Sequence, residues 1–192
     1  MTTLKQKHPC PCCEQLTLDE PSPGSFGICP LCFWEDDNLQ ADDPDYAGGA
    51  NDVSLNQAQE NVKTIGCCDP QFKTFARKKI LNALIAYEHD PKTLAQQLSL
   101  FEWDSEEELA LLEISDIQTV LDLYLKDKIT DTDIEFWAET IECREDIAYE
   151  SGREDLIINT IFDLANPDIN KKITIKLVEQ LCNQLITYIR LK

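Results

Sequence analysis

Two cysteine pairs constrain this chain more than any other feature in it. Cys10-Pro11-Cys12-Cys13 and Cys29-Pro30-Leu31-Cys32 are each a Cys-Pro-x-Cys, with fifteen residues between them. A C-x-x-C turn aims two thiolates at one point, and two such turns supply the four sulfurs of a closed tetrahedral metal site. Cys10, Cys13, Cys29 and Cys32 are therefore the expected ligands of a structural Zn2+ ion. A rubredoxin-like iron site uses the same four-thiolate geometry and is the alternative. A redox C-x-x-C fits less well, because no βαβ pattern surrounds either pair. Cys12 cannot easily share one ion with both its neighbours. It reads either as a thiol beside the site or as an exchange partner for Cys13.

The remaining thiols fit the same picture. Nine cysteines is an odd number. The N-terminal stretch from Met1 to His8 has no apolar signal region, so a cytosolic chain with reduced thiols is expected. Cys67-Cys68 reads as linker or core filler, with a reactive role as the lesser alternative, and Cys143 and Cys182 read as structural. His8 reads as an exposed histidine near the first knuckle, and His89 as a helix-end residue facing the dipole. No run of apolar residues is long enough to span a membrane.

Charge is the second constraint. The net charge is −19, and residues 101–163 alone carry −16. Such a field repels nucleic acid and anionic membrane and attracts basic proteins. The nucleic-acid role that a zinc ribbon often brings to mind is therefore not expected.

The pattern along the chain predicts a mainly α protein: a small N-terminal zinc ribbon over residues 1–66, then an antiparallel helical bundle over 67–192. In the ribbon, Leu16-Thr17-Leu18 and Phe26-Gly27-Ile28 flank a Pro21-to-Gly24 turn and predict a hairpin. An acidic loop over 35–52 follows, then a helix near 55–65 opened by Ser54 and Gln57. Asp69-Pro70 and Asp90-Pro91 each read as an N-cap with proline in the first turn. Ser105 with Glu108, Ser115 with Gln118 and Thr132 with Glu135 predict three further helix starts. Ile157, Ile161 and Leu164, and then Leu177, Leu181, Leu185 and Ile189, mark the last two helices.

Within the helical half, Glu135, Glu139, Glu142 and Asp146 follow one flank of a helix centred on Trp137. They read as an acidic docking stripe for a basic protein, against the plainer reading of a solvated helix face. The chain has no P-loop, no G-x-G-x-x-G, no H-E-x-x-H and no G-x-S-x-G, which lowers the expectation of an enzyme.

Residues 9–62 resemble the bacterial cysteine-rich CPCC domain family. The resemblance is carried by Cys10-Pro11-Cys12-Cys13, Leu16 to Pro21, Ile28 to Asp37, Asp43 to Asn51 and Ser54-Leu55-Asn56. It implies a zinc-binding module of small bacterial proteins, some of them of the polymorphic toxin–immunity kind. Two positions depart from the family pattern: Glu14 stands where the family has glycine, a position that wants φ > 0, and Gln59 where it often has arginine. The stretches Phe101 to Leu109, Trp137-Ala138, Ile141 to Ile147 and Leu164 to Pro167 resemble the immunity proteins of contact-dependent growth inhibition. Together the two resemblances imply a non-enzymatic cytoplasmic immunity protein that binds a basic toxin domain, a nuclease above all. The acidic stripe, with Trp103 or Trp137 as aromatic anchor, is expected to carry that binding. The alternatives are a zinc-ribbon adaptor for another protein and a thiol enzyme using Cys12 or Cys67-Cys68.

Overall fold

The computed structural model describes residues 6–103 and 105–189, the side chains of 188 and 189 excepted. The readings placed on residues 1–5, on Asp104 and on the Ile189 side chain lie outside the described part. The chain forms two compact units that divide between Arg77 and Lys78. The fold is mainly α, a small cysteine ribbon followed by a helical bundle, as the sequence predicts.

The ribbon unit is built on its two knuckles. Strand β1 (His8–Pro9) pairs antiparallel with β2 (Leu16–Leu18), His8 opposite Leu18. The hairpin expected between Leu16–Leu18 and Phe26–Ile28 does not form; Ile28 bridges Glu35 instead. The cause is the knuckle itself. Each Cys-x-x-Cys reverses the chain, so the segment entering a knuckle pairs with the segment leaving it. Within the predicted acidic loop a short helix α1 (Asn38–Asp42) forms, its first turn capped by Asp37 accepting from Leu39 N at 3.1 Å. Helix α2 (Leu55–Ile65) starts where Ser54 Oγ accepts from Gln57 N and stops at Gly66, whose φ of 75° ends the helix. Trp34, Leu18, Leu55 and Ala58 pack with the buried cysteines into one small core.

Asp69 caps a 3-10 turn (Pro70–Phe72) that leads into α3 (Lys73–Ile85). The sequence places a boundary at residues 66–67. The first unit runs further, because Cys68 is buried in the ribbon core and Phe72 packs against it.

The second unit contains α4 (Pro91–Leu98), β3 (Ala110–Leu112), α5 (Ile114–Leu125), α6 (Asp131–Ile141), β4 (Ile147–Tyr149), α7 (Glu154–Ala165) and α8 (Ile175–Ile189). Asp90 caps α4 as expected. The start read at Ser105 gives no helix; its Leu109–Leu112 stretch is edge backbone and the strand β3. The caps of α5 and α6 sit two residues earlier than read. Asp116 accepts from Glu113 N at 2.9 Å, and Thr130 and Asp133 bond each other's backbone N–H. β3 and β4 pair in parallel, Ala110 opposite Ile147, with α5 and α6 as the crossover that a parallel pair requires. Trp137 is at the centre of the core, 0% exposed, and its Nε1–H donates to Leu84 O at 2.8 Å.

Candidate metal centre and acidic face

The two knuckles are built alike, and the likeness follows from their shared spacing. In the first, Glu14 N donates to Cys10 O (2.8 Å) and Cys10 N to Gln15 O (2.9 Å). In the second, Phe33 N donates to Cys29 O (3.0 Å) and Cys29 N to Trp34 O (2.8 Å). Each turn is completed by a left-handed residue directly after its second cysteine, Glu14 at φ 62° and Phe33 at φ 68°. The positive φ expected at Glu14 is thus present.

These turns bring the Sγ atoms of Cys10, Cys13, Cys29 and Cys32 within 4.8 Å of one another. Cys10 to Cys32 and Cys13 to Cys29 are both 3.7 Å. A disulfide would need about 2.05 Å, so none of these pairs is bonded. A metal–sulfur bond of about 2.3 Å sets the edge of an ideal tetrahedron near 3.8 Å. The four sulfurs therefore fit a metal ion in tetrahedral coordination, a shape both zinc and iron accept. Sulfurs this close also compete for protons. Cys29 is held far below the ordinary thiol range because the Cys10 and Cys13 thiols are directed at it, whereas Cys32 is pushed far above by Cys10 and the other three sulfurs around it. A divalent cation between them resolves that conflict by favouring the thiolate at every corner.

Several groups brace the site from outside. Cys12 N donates to Cys10 Sγ (3.4 Å), so Cys12 contributes its backbone, while its side chain is buried in the core. Thr17 Oγ1 lies 3.2 Å from Cys29 Sγ, where a hydroxyl can donate to a thiolate. Cys68 N donates to Cys32 O (2.8 Å), and Gln59 Nε2 to Pro11 O (2.9 Å), tying α2 and the chain after it to both knuckles. Thr17 and Gln59 are not among the ligands that the spacing names. His8, read as an exposed histidine, is half-buried in β1.

Residues 8–82 match the Cysteine-rich CPCC family. The CPCC match takes in both knuckles, α1, α2 and most of α3, and so contains every residue of the four-sulfur cluster. No curated protein matches the chain.

The other cysteines divide by burial. Cys67 and Cys68 are buried in the ribbon unit, and burial pushes both thiols up. The Cys67 thiol donates to Asp69 O at 3.2 Å. Cys182 is half-buried against the helical core, and Cys143, read as structural, is instead exposed at φ 60°.

The acidic stripe is only partly a stripe. Glu135 and Glu139 lie on α6, and Glu139 is exposed. Partial burial and then repulsion from Glu139, Asp168 and Asp131 raise the Glu135 carboxyl above its ordinary value. Glu142, just past the helix, accepts from Asn166 Nδ2 at 2.9 Å. Asp146 does not belong to the stripe. α6 ends at Ile141 and the chain turns at Cys143, so the helical period stops short of it. Asp146 is 0% exposed and grips Arg144 in a fork, Arg144 Nε to Oδ1 and Nη2 to Oδ2, both 2.8 Å. The Arg144 guanidinium lies 5.0 Å from the ring centre of Trp103, which is 56% exposed. Trp103 borders a groove of about 280 Å3 lined also by Leu98, Phe101, Phe136, Glu139 and Thr140. Trp137, the other candidate anchor, is sealed in the core and cannot reach a partner.

Proposed function

We propose that this chain is a zinc-stabilised immunity protein that acts by binding rather than by catalysis. Its ribbon holds a structural Zn2+ through Cys10, Cys13, Cys29 and Cys32. Four thiolates fill a tetrahedral site and leave no corner for a substrate. The helical unit offers its acidic face to a basic toxin domain, a nuclease, and covers the active site there. An acidic surface imitates phosphate to such an enzyme and speeds encounter.

The observation that carries this reading is the face around α6. Glu139 lies in one groove with the exposed Trp103, and Trp103 is held by Arg144, which the buried Asp146 fixes in turn. A buried ion pair stabilises a fold weakly, since desolvation offsets its attraction. Its worth here is preorganisation: an aromatic anchor set in place before binding loses less entropy on binding. Trp is also the side chain most often found at the energetic centre of an interface. Glu139 also belongs to a cluster of negative charge, since it, Asp168 and Asp131 all act on Glu135.

Two measurements test the reading. Metal analysis of the purified chain should give one zinc per chain; stoichiometric iron would overturn the zinc assignment. The chain used as bait in its native cells should retain a basic toxin domain in stoichiometric amount. Trp103→Ala and Glu139→Lys should each weaken that complex at least tenfold with the fold intact. Capture of housekeeping proteins alone, or a toxin complex indifferent to both variants, would remove the immunity reading or its assigned face respectively.

A further inference from the structure

The ribbon unit carries a groove of its own, about 260 Å3, lined among others by Ile28, Phe33, Glu35, Asp52, Asp69 and Phe72. Its apolar part is an aromatic pair: Phe33 and Phe72 stack with ring centres 5.4 Å apart and planes at 24°. Ile28, 61% exposed, adds an aliphatic wall. Phe33 occupies the left-handed position that completes the second knuckle, where glycine would be easier for the backbone. A benzyl group there costs conformational energy and supplies the ring that lines the groove.

Three carboxylates share this groove, and among the described residues no lysine, arginine or histidine lines it. Two of them are braced by one residue: Gln71 donates through its backbone N to Asp69 Oδ1 (2.9 Å) and through Nε2 to Asp52 Oδ2 (3.3 Å). Glu35 is fixed through its backbone, whose N–H and C=O are both bonded by the Asn51 side chain at 2.9 Å. The groove thus combines aromatic and aliphatic surface with a set of positioned negative charges.

We infer that this groove receives an arginine side chain from a basic protein partner. A guanidinium is planar, stacks on aromatic rings and forks to carboxylates, while its methylenes suit an aliphatic wall. A lysine ammonium is compact and strongly hydrated, and gains less from the Phe33–Phe72 surface. A groove of about 260 Å3 has room for one arginine side chain. This surface lies on the ribbon unit and does not depend on what the α6 face binds.

The test uses the full-length, metal-loaded, 15N-labelled chain titrated with acetyl-Gly-Arg-Gly-amide, followed by amide chemical shifts. The lysine peptide and the neutral citrulline peptide run in parallel. The expected result is a set of shifts confined to Glu35, Asp52, Gln71, Phe72 and their neighbours. Arginine should bind at least threefold more tightly than lysine, and the citrulline peptide should not bind. Glu35→Gln with Asp52→Asn should weaken the arginine peptide about tenfold; Asp52→Asn alone, at an exposed position, should weaken it severalfold with the spectrum elsewhere unchanged. Glu135→Gln with Glu139→Gln should leave it unaffected. Shifts spread evenly over the acidic surface, equal binding of the citrulline peptide, or unchanged affinity in the Asp52→Asn chain would each overturn the proposal.

Discussion

Glu14 shows how closely a single residue answers to the knuckle around it. Its φ of 62° is imposed by the turn that closes the first Cys-x-x-Cys, and its side chain is exposed. A left-handed residue with a Cβ costs about 1–2 kcal/mol, and glycine escapes that penalty while losing some of the gain in unfolded-state entropy. Glu14→Gly is therefore predicted to stabilise the metal-loaded ribbon by about 0.5–1 kcal/mol, read as a higher denaturant midpoint at unchanged slope. The four-sulfur cluster is legible because C-x2-C spacing is a local property. Gln59 was not, because its contact with Pro11 spans 48 residues. Gln40 was equally hidden: its side chain donates to the carbonyls of Tyr46, Asn51 and Val53 and accepts from Asn51, holding the whole 46–53 loop from inside. Gly49 completes that loop, since a Cβ there would collide with the Asp37 carboxylate.

At the scale of one element, α6 contains two carboxylates with opposite pH behaviour. Asp133 closes the N-terminal box, and the Thr130 backbone N–H, then its hydroxyl, hold the Asp133 carboxyl below its ordinary value. Its contribution is thus present above the unfolded carboxylate value and is lost as pH falls through the lower folded one. Asp133→Ala should cost about 1 kcal/mol near neutral pH, and the difference from the parent chain should vanish in strong acid, as urea titrations at several pH values would show. Glu135 runs the other way. Its folded value is raised by partial burial and by Glu139, Asp168 and Asp131, so its contribution is complete below the unfolded value and declines as pH rises through the raised one. Glu135→Gln should raise stability near neutral pH by about 0.3 kcal/mol, with the gain shrinking in acid and in high salt. The helix itself was legible from its apolar period. The sequence pattern sets its cap two residues too late because Asp133, not a glutamate or glutamine, performs the third-position role. Strand β3 escapes the sequence pattern for a different reason: three residues carry little periodicity, and their partner β4 lies beyond two helices.

Across the whole molecule, two cores of different make are joined in one chain. The ribbon core consists largely of cysteines around Trp34, whereas the helical core is aliphatic and centres on Trp137. The first gathers four sulfurs around a position that fits a metal ion, and the second rests on burial of aliphatic side chains. On the proposed structural metal site, a chelator should unfold the ribbon, because ligand binding and folding are one equilibrium in such modules. Most of the helical signal should survive, since α4 to α8 lie in the second unit. Circular dichroism during chelation, with thermal scans before and after, checks this; complete loss of helix on chelation would contradict it. The charge asymmetry was legible in the sequence, but the way that acids divide between an exposed face and the buried Asp146 was not, because it depends on where α6 stops.

The three tryptophans have a practical consequence. Trp34 is 1% exposed in the ribbon core, Trp137 is 0% exposed in the helical core and Trp103 is 56% exposed beside its groove. Each ring therefore sits in a different environment, and each environment answers to a different event. Emission from Trp34 follows loss of the ribbon, emission from Trp137 follows melting of the helices, and only Trp103 is open to a quencher dissolved in the buffer. Three variants, each keeping one indole, would turn the native chain into its own set of optical gauges, able to time metal loss, unfolding and partner arrival separately without any attached dye.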